Sequence, residues 1–454
     1  MSPARALPDG PLVAFYGDDF TGSSAAMEVL AFAGLSTILF LDAPSPERLA
    51  KFADYRAIGI AGVARSRSPE WMDVHLPPIF SLLREVGAPI VHYKVCSTFD
   101  SAPHIGSIGR AAELGQRSLP GWVPMVVSDP GMGRFQAFGN LFAHANGVGF
   151  RLDRHPTMAV HPATPMHEAD LGRHLAAQTK LRVGLVDFVS MKRGNAREVL
   201  QKEVEAGAGI VSLDVLDTET LIEAGRLMWD RDVDQQFVLG SQGIEQALVA
   251  YWRAAGLIPA RSTANEVPSA QRIAAVSGSV SPVTAVQIRQ AAACGFELIA
   301  LNASLAVDAE RFVTEAGRAI EAALAALDAG RDPLIYTAAG PDDPSVAAFR
   351  AVVGESGLAI GDVNDRLGAA LGDILNALVL QRGLRRVVIS GGDTSSHAAS
   401  RLGIDALTAI APLSPGVPLC RAHSTDPRID GLQIALKGGQ TGAPDFFSAV
   451  RDKR

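Results

Sequence analysis

Short apolar runs alternate along this chain with longer stretches in which apolar residues recur at helical spacing. The first run, Leu12–Tyr16, is stopped by Gly17 and followed by Asp18 and Asp19. Thr21–Ser24 then offers caps and small residues, and Ala25–Ala33 has helical character. Further strands are predicted at Ser36–Leu41, Ala57–Val63, Pro89–Tyr93, Trp122–Val127, Val183–Val186 and Gly209–Leu213. Helices are predicted at Pro69–Val86, Pro165–Gln178 and Gly243–Ala255. Strands alternating with helical segments imply a largely parallel sheet covered by helices. Leu257–Ala270 is polar and broken by prolines, which marks a linker. Beyond it a second series begins. Its strands are expected at Ile273–Val276, Glu297–Leu301, Leu334–Thr337, Arg386–Ile389 and Leu432–Leu436, with helices at Arg311–Ala329 and Asp365–Gln381. The pattern predicts an α/β chain of two domains, 1–258 and 259–454. Each is a largely parallel or mixed sheet flanked by helices, with a cleft between them.

Length supports this division, since 454 residues exceed what one small core needs. Hydrophobic residues at 48% and charged ones at 20% give a soluble globular balance. The net charge of −7, from 41 basic and 48 acidic residues, leaves no basic surplus to attract nucleic acid. Local lysines and backbone groups can still hold phosphate. The three cysteines, Cys96, Cys294 and Cys420, lie far apart, which fits a reducing compartment and no disulfide framework. No Cys/His pair has zinc spacing. The opening MSPARALPDG lacks an apolar signal core, and no apolar run approaches the roughly 20 residues of a membrane span. The expectation is a cytoplasmic protein without nucleic-acid or membrane partners. A homo-oligomer stays open.

Candidate chemistry gathers where strands end. Asp18 and Asp19 fall at the carboxyl edge of the first strand, where ligands of open α/β sheets sit. Adjacent carboxylates repel, so at least one needs a hydroxyl, a metal or a cation nearby. The ordinary alternative is an N-cap at Asp19 or Thr21, but two acids are more charge than a cap requires. Arg65 and Arg67 in ARSRS and Lys94 in YKVCSTFDS also follow strands. They could hold a substrate carboxylate, an arginine in two-pronged fashion. Arg134 in GMGR, after Asp129 and Pro130, is a further candidate. His155 and His161 read as structural or surface residues, and Cys96 as a packed thiol.

In the second half, RVVISGGDTSS runs a strand into Gly391 and Gly392, then Asp393 and Thr394, then a helix. Glycines let the backbone approach a ligand closely, and a helix start offers unpaired N–H groups to phosphate. The Walker A spacing is absent. VSGSVSPVT, with Ser279 and Ser281, and LKGGQTG, with Lys437, Gly438 and Gly439, are similar turns. Three such turns on one side of a sheet would form a nucleotide pocket to which Lys437 adds positive charge. The alternative is three unrelated glycine turns.

These marks in their order resemble the four-carbon acid sugar kinases over nearly the whole chain. They are DDFTG at Asp18–Gly22, SRS at Ser66–Ser68, Tyr93-Lys94 with Ser97-Thr98, and HPATPM at His161–Met166. SGS at Ser277–Ser279, GGDTS at Gly391–Ser395, and KGG with PDFF between Lys437 and Phe447 complete the set. The resemblance implies a sugar-acid domain followed by an ATP domain, with Mg2+ as the metal. It implies transfer of the γ-phosphate of ATP to the terminal (C4) hydroxyl of a small sugar acid. It places Asp18, Asp19, Arg67, Lys94 and Ser97 around the acid; Thr98, Asp100 and Arg134, from the same strand-end loops, are added to the candidate substrate contacts. Ser279, Ser281, Gly391, Gly392, Asp393, Thr394, Lys437, Gly438 and Gly439 would surround ATP, with Asp393 as metal ligand. Asp19, or else Asp18, would be the base. Many members read STLRGN where this chain reads STFDSAPHIGSIG, so Asp100 replaces an arginine. A carboxylate there accepts hydrogen bonds from hydroxyls, which suits a 3-oxo acid such as 3-oxo-tetronate or the branched 3-oxo-isoapionate. Threonate or erythronate is the alternative substrate. Rival readings are a dinucleotide-dependent dehydrogenase, which the missing G-x-G-x-x-G opposes, and a non-catalytic sugar-acid and nucleotide sensor.

Overall fold

A computed structural model describes residues 4–145, 147–161, 163–231, 233–260 and 267–452, except the side chains of 393–395. The chain divides into two compact units, one of Met1–Ile38 with Ala43–Thr263, the other of Leu39–Asp42 with Ala264–Arg454.

The first unit contains β1 (Val13–Gly17), the start of β2 (Thr37–Phe40), β3 (Ala57–Ala61), β4 (Ile90–Lys94), β5 (Val123–Val126), β6 (Arg134–Ala137), β7 (Asn140–Ala145), β8 (Val148–Arg151), β9 (Val183–Val186), β10 (Ile210–Leu213) and β11 (Gln236–Gly240). Seven of these form a sheet in the order β3-β1-β4-β11-β5-β10-β9, every pairing parallel. β6, β7 and β8 form a separate antiparallel sheet. The central strands are buried along their whole length, which explains their unbroken apolar runs. Helices cover them with one apolar stripe each. In Pro69–Glu85 the stripe is Met72, Leu76, Phe80 and Leu83, at helical spacing, after an N-cap in which Ser68 accepts from the Trp71 N–H. Phe80 meets Tyr93 and Phe237 edge-on in the core.

The second unit contains β12 (Ala274–Ser277), β13 (Phe296–Ala300), β14 (Asp332–Tyr336), β15 (Arg386–Ser390), β16 (Ala406–Ser414), β17 (Val417–His423) and β18 (Gln433–Lys437). Their order is β13-β14-β12-β15-β18-β17-β16. The first five pair in parallel, and β17 and β16 are antiparallel. Leu39 and Phe40, from β2, pair antiparallel with Leu407 and Ala406 of β16. Ile288, Leu334, Val388, Phe446 and Phe447 belong to the core of this unit.

The α/β reading holds in both units. The helix expected over Pro165–Gln178 is shorter, Leu171–Ala176. Asp170 starts it by accepting from the Gly172 and Arg173 N–H groups, leaving residues 165–169 outside.

Candidate active site

In the first unit the strand register sets the site. Gly17 of β1 lies opposite Ala61 of β3 and Lys94 of β4, and Lys94 opposite Gly240 of β11, which faces Val126 of β5. Five parallel strands therefore end in one row, and the residues just past that row share one edge.

Asp18 and Asp19 are buried there, at 2% and 6% exposure, yet one cation holds both. Arg65 Nη2 donates to Asp18 Oδ1 at 2.6 Å and to Asp19 Oδ1 at 2.7 Å, and Arg65 Nε reaches Asp18 Oδ2 at 3.3 Å. Burial pushes the Asp18 carboxyl up to about 6 against the pull of Arg65, and neighbouring Asp19 adds to the rise. Burial disfavours the charge on Arg65, but the two carboxylates outweigh it and raise its pKa well above the usual value. Asp19 also caps the helix Phe20–Phe32, its Oδ1 accepting from the Gly22 N–H at 2.9 Å. Cap and paired acid, alternatives on the sequence, are thus the same residue. Among the described residues no hydrogen bond reaches Asp19 Oδ2.

Lys94 is fully buried, and its Nζ donates to the Val95 carbonyl at 2.7 Å. A Cβ on Gly22 would lie 2.4 Å from that Nζ and 2.3 Å from Asp19 Oδ1. Gly22 is what lets the lysine and the acid share this corner. The next loop carries Ser97, Thr98 and Asp100, all nearly buried. Thr98 Oγ1 donates to Asp100 Oδ1 at 2.7 Å. Between them Phe99 takes a left-handed φ of 58°, an uncommon state for a bulky residue. Its ring is buried edge-on against His174 at 5.8 Å, which holds the bend. Arg134 donates to the Met132 carbonyl at 2.9 Å. Burial lowers its pKa, while Cys96, Asp129 and Asp100 act on its charge from nearby. Cys96 itself is raised by burial and then by Asp100, the state of an inert thiol. Arg67 sits half-buried one turn past β3, its carbonyl accepting from the Gly106 N–H. His155 and His161 accept local N–H bonds, at Thr157 and Thr164.

Two buried pairs escaped the sequence reading. Gln242 Nε2 donates to Asp129 Oδ2 at 3.0 Å, fixing the turn that leads to Arg134. Beneath the row, His92 Nδ1 lies 2.6 Å from Glu245 Oε1, and His92 Nε2 lies 3.0 Å from the Gly240 carbonyl. A carbonyl only accepts, so Nε2 carries a proton and the His–Glu pair holds a second one between them. Gln242 and Glu245 both follow β11, a strand absent from the predicted set; Glu245 falls in the helix predicted over Gly243–Ala255, but without β11 nothing aimed either residue at this edge.

The second unit builds its edge differently. Ser277, Ser390 and Lys437 lie side by side at the ends of β12, β15 and β18. The turns that follow are bonded to one another. Ser281 Oγ and Thr284 Oγ1 both donate to the Gly439 carbonyl, at 2.6 Å and 3.0 Å, and the Gly391 N–H donates to the Lys437 carbonyl at 2.8 Å. They are one constellation rather than three unrelated turns. Gly391 has a φ of 123°, and a Cβ on Gly439 would meet Ser279 Oγ at 2.7 Å. Ser281 caps the helix Pro282–Ala293, and the Gly391 turn opens the helix Gly392–Arg401. The backbones of Asp393 and Thr394 lie in that helix, and their side chains are outside the described residues. Lys437 is fully buried. Its Nζ donates to the Gly438 carbonyl at 2.8 Å and to Thr284 Oγ1 at 3.2 Å, both neutral. Burial pushes its pKa down to about 7.

Known proteins show the same division. A sugar-binding N-terminal domain model matches residues 13–248, and a nucleotide-binding C-terminal domain model matches residues 274–447. A 3-oxo-isoapionate kinase of Paraburkholderia graminis is 49% identical over 452 residues, covering 99% of this chain and 96% of that protein. The chain belongs to the four-carbon acid sugar kinases. A 3-oxo-tetronate kinase of Pseudomonas savastanoi pv. phaseolicola is 31% identical over 443 residues, 96% of each chain. A crystal structure of a Haemophilus influenzae protein superposes with a TM-score of 0.68 at 25% identity, over 96% of this chain and 98% of that one. As a sugar-acid kinase the protein is a phosphotransferase, which excludes the dehydrogenase and sensor readings. No described helix is long and apolar enough to cross a membrane.

Proposed function

We propose that this kinase transfers the γ-phosphate of ATP to the terminal hydroxyl of 3-oxo-isoapionate, with Asp19 as the base. The observation that carries the assignment of Asp19 is the asymmetry of the acidic pair. Both oxygens of Asp18 accept from Arg65, whereas Asp19 keeps Oδ2 without a partner among the described residues. A base needs a carboxylate oxygen open to the proton it takes. Asp18 and Arg65 hold that carboxylate in place, and the helix cap fixes its orientation. Phosphoryl transfer depends mainly on position and charge neutralisation, which suits this rigid arrangement.

The substrate carboxylate is assigned to Arg67, Lys94, Ser97 and Arg134, and its hydroxyls to Asp100 and Thr98. Asp100 would repel a carboxylate and accept from a hydroxyl, favouring the more hydroxylated, branched acid. The P. graminis relative, at 49% identity against 31% for the 3-oxo-tetronate kinase, agrees with that choice.

The residues of the second unit fit a triphosphate. A cradle that a Cβ at Gly439 would fill, and a buried lysine whose bonds go to neutral groups, both suit phosphate oxygens. Ser279, Ser281, Gly391, Gly392, Thr394, Lys437, Gly438 and Gly439 are assigned to ATP. Mg2+, with Asp393 as its protein ligand, would neutralise the phosphates.

The test is ADP release on a panel of acids. 3-Oxo-isoapionate should give the highest kcat/KM, 3-oxo-tetronate less, and threonate and erythronate least. Fastest turnover on threonate would remove the substrate assignment.

A further inference from the structure

At the opposite end of the second unit's strands lies a cavity of about 530 Å³. It opens between the segment entering β12, the end of the helix Ile360–Arg382 and the segment entering β18. Arg272, Arg382, Arg385 and Arg386 line it, and no carboxylate does among its described residues. Its volume is that of a small-molecule site.

Arg386 is the unusual member, only 2% exposed. Its guanidinium donates to Gln433 Oε1 at 2.7 Å and to the carbonyls of Val450, Pro268 and Arg451 at 2.7, 2.7 and 3.2 Å. All four acceptors are neutral, so a buried charge lacks a counter-charge, and burial lowers its pKa. Arg385 donates to the carbonyls of Arg428 and Asp430, and Arg272 to that of Gln271. A guanidinium has five N–H groups, so most of those on Arg272 and Arg385 have no acceptor among the described residues. Of the nearby acids, Asp328 pairs with Arg382 of the lining itself, which leaves Arg272, Arg385 and Arg386 as the cations available to a ligand. Asp332 pairs with Arg451, outside the lining, and Asp430 accepts from the Ser424 N–H.

Exposed arginines alone are ordinary solvated charges. Here two of them, Arg272 and Arg385, flank a concavity with a buried, acid-free arginine in its wall, an arrangement whose positive charge an anion would balance. The forked donors match a phosphate group better than a monovalent ion. We propose that this cavity is a second anion site, binding a phosphate-bearing small molecule apart from the phosphate turns. β15 joins the two places, running from Arg386 to Ser390 at the turn.

The test uses the full chain and the double variant Arg272→Gln/Arg385→Gln, with the phosphate turns saturated by a non-hydrolysable ATP analogue. Inorganic phosphate and 3-phosphoglycerate are titrated separately by calorimetry. Wild type should bind at least one probe, and the variant should bind it about tenfold more weakly with kcat and the KM for ATP unchanged. The probe bound more tightly names the source of the phosphate, free ion or phosphomonoester. Equal affinity in both chains, or no binding of either probe to wild type, would overturn the proposal.

Discussion

The two units place candidate sites at the same kind of location, the carboxyl ends of parallel strands, and furnish them in opposite ways. The first unit uses charged side chains, with Asp18 and Asp19 buried against a shared Arg65. The second uses backbone, three turns bonded to one another through Gly439 and Gly391, with Lys437 alone supplying buried charge among the described residues of those turns. A proton-accepting site needs a specific carboxylate in a specific state. A triphosphate site needs many donors at close range, which small residues and helix starts provide. The first arrangement sets its acids against cations of its own, Arg65 with Lys94 nearby, whereas in the second Lys437 has no acid partner among the described residues and leaves its charge for the ligand to balance.

This contrast can be broken most severely at Asp19. Asp19→Asn should lower kcat by about 10²–10⁴-fold, the usual contribution of a general base, with ATP affinity nearly unchanged. Steady-state kinetics and nucleotide titration check this together, and near-normal turnover would take Asp19 out of the base role. Next come the two buried cations, which should respond with opposite signs. Arg65→Ala leaves two adjacent buried carboxylates without their shared cation and should cost about 3–5 kcal/mol of stability. Lys437→Met removes an ammonium that has no acid partner among the described residues, and should leave stability level or raise it while weakening ATP binding. Denaturant melts of both variants decide the matter, and equal destabilisation would erase the difference between the units. The mildest change is Gly439→Ala. Its Cβ must displace Ser279 Oγ, so the KM for ATP should rise about tenfold, the loss of one good hydrogen bond, with kcat little altered. A KM equal to wild type would mean that the turn has room to spare.

Strand ends were the legible part of the sequence. A buried parallel strand is a short apolar run stopped by glycine, and each of the turns at Gly17, Gly391 and Lys437 stands at such a stop. Less legible were elements without that pattern. β11 contributes only a brief apolar run, Phe237–Leu239, behind a buried Gln236. β16 and β17 contain Pro412 and Pro418, which read as breaks but lie where the pairing is irregular or at its end. Arg65 and Arg67 follow the same strand and both read as holders of a substrate carboxylate, so the pairing of Arg65 with Asp18 and Asp19 was missed. It turns on the short helical turn Ala64–Ser66, which points Arg65 at the acids. Pairing across distance was invisible too: Thr98 and Asp100 are 2 residues apart, but Asp18 finds Arg65 at a separation of 47 and His92 finds Glu245 at 153.

Leu39 and Phe40 belong by contact to the second unit although they lie early in the chain. A fragment begun at Ala264 would therefore lack a piece of its own sheet. Its β16 would present an unzipped row of N–H and C=O groups at Ala406 and Leu407, an invitation to self-association. Gene dissection of this kinase for separate expression should graft those early residues back, or expect an insoluble half.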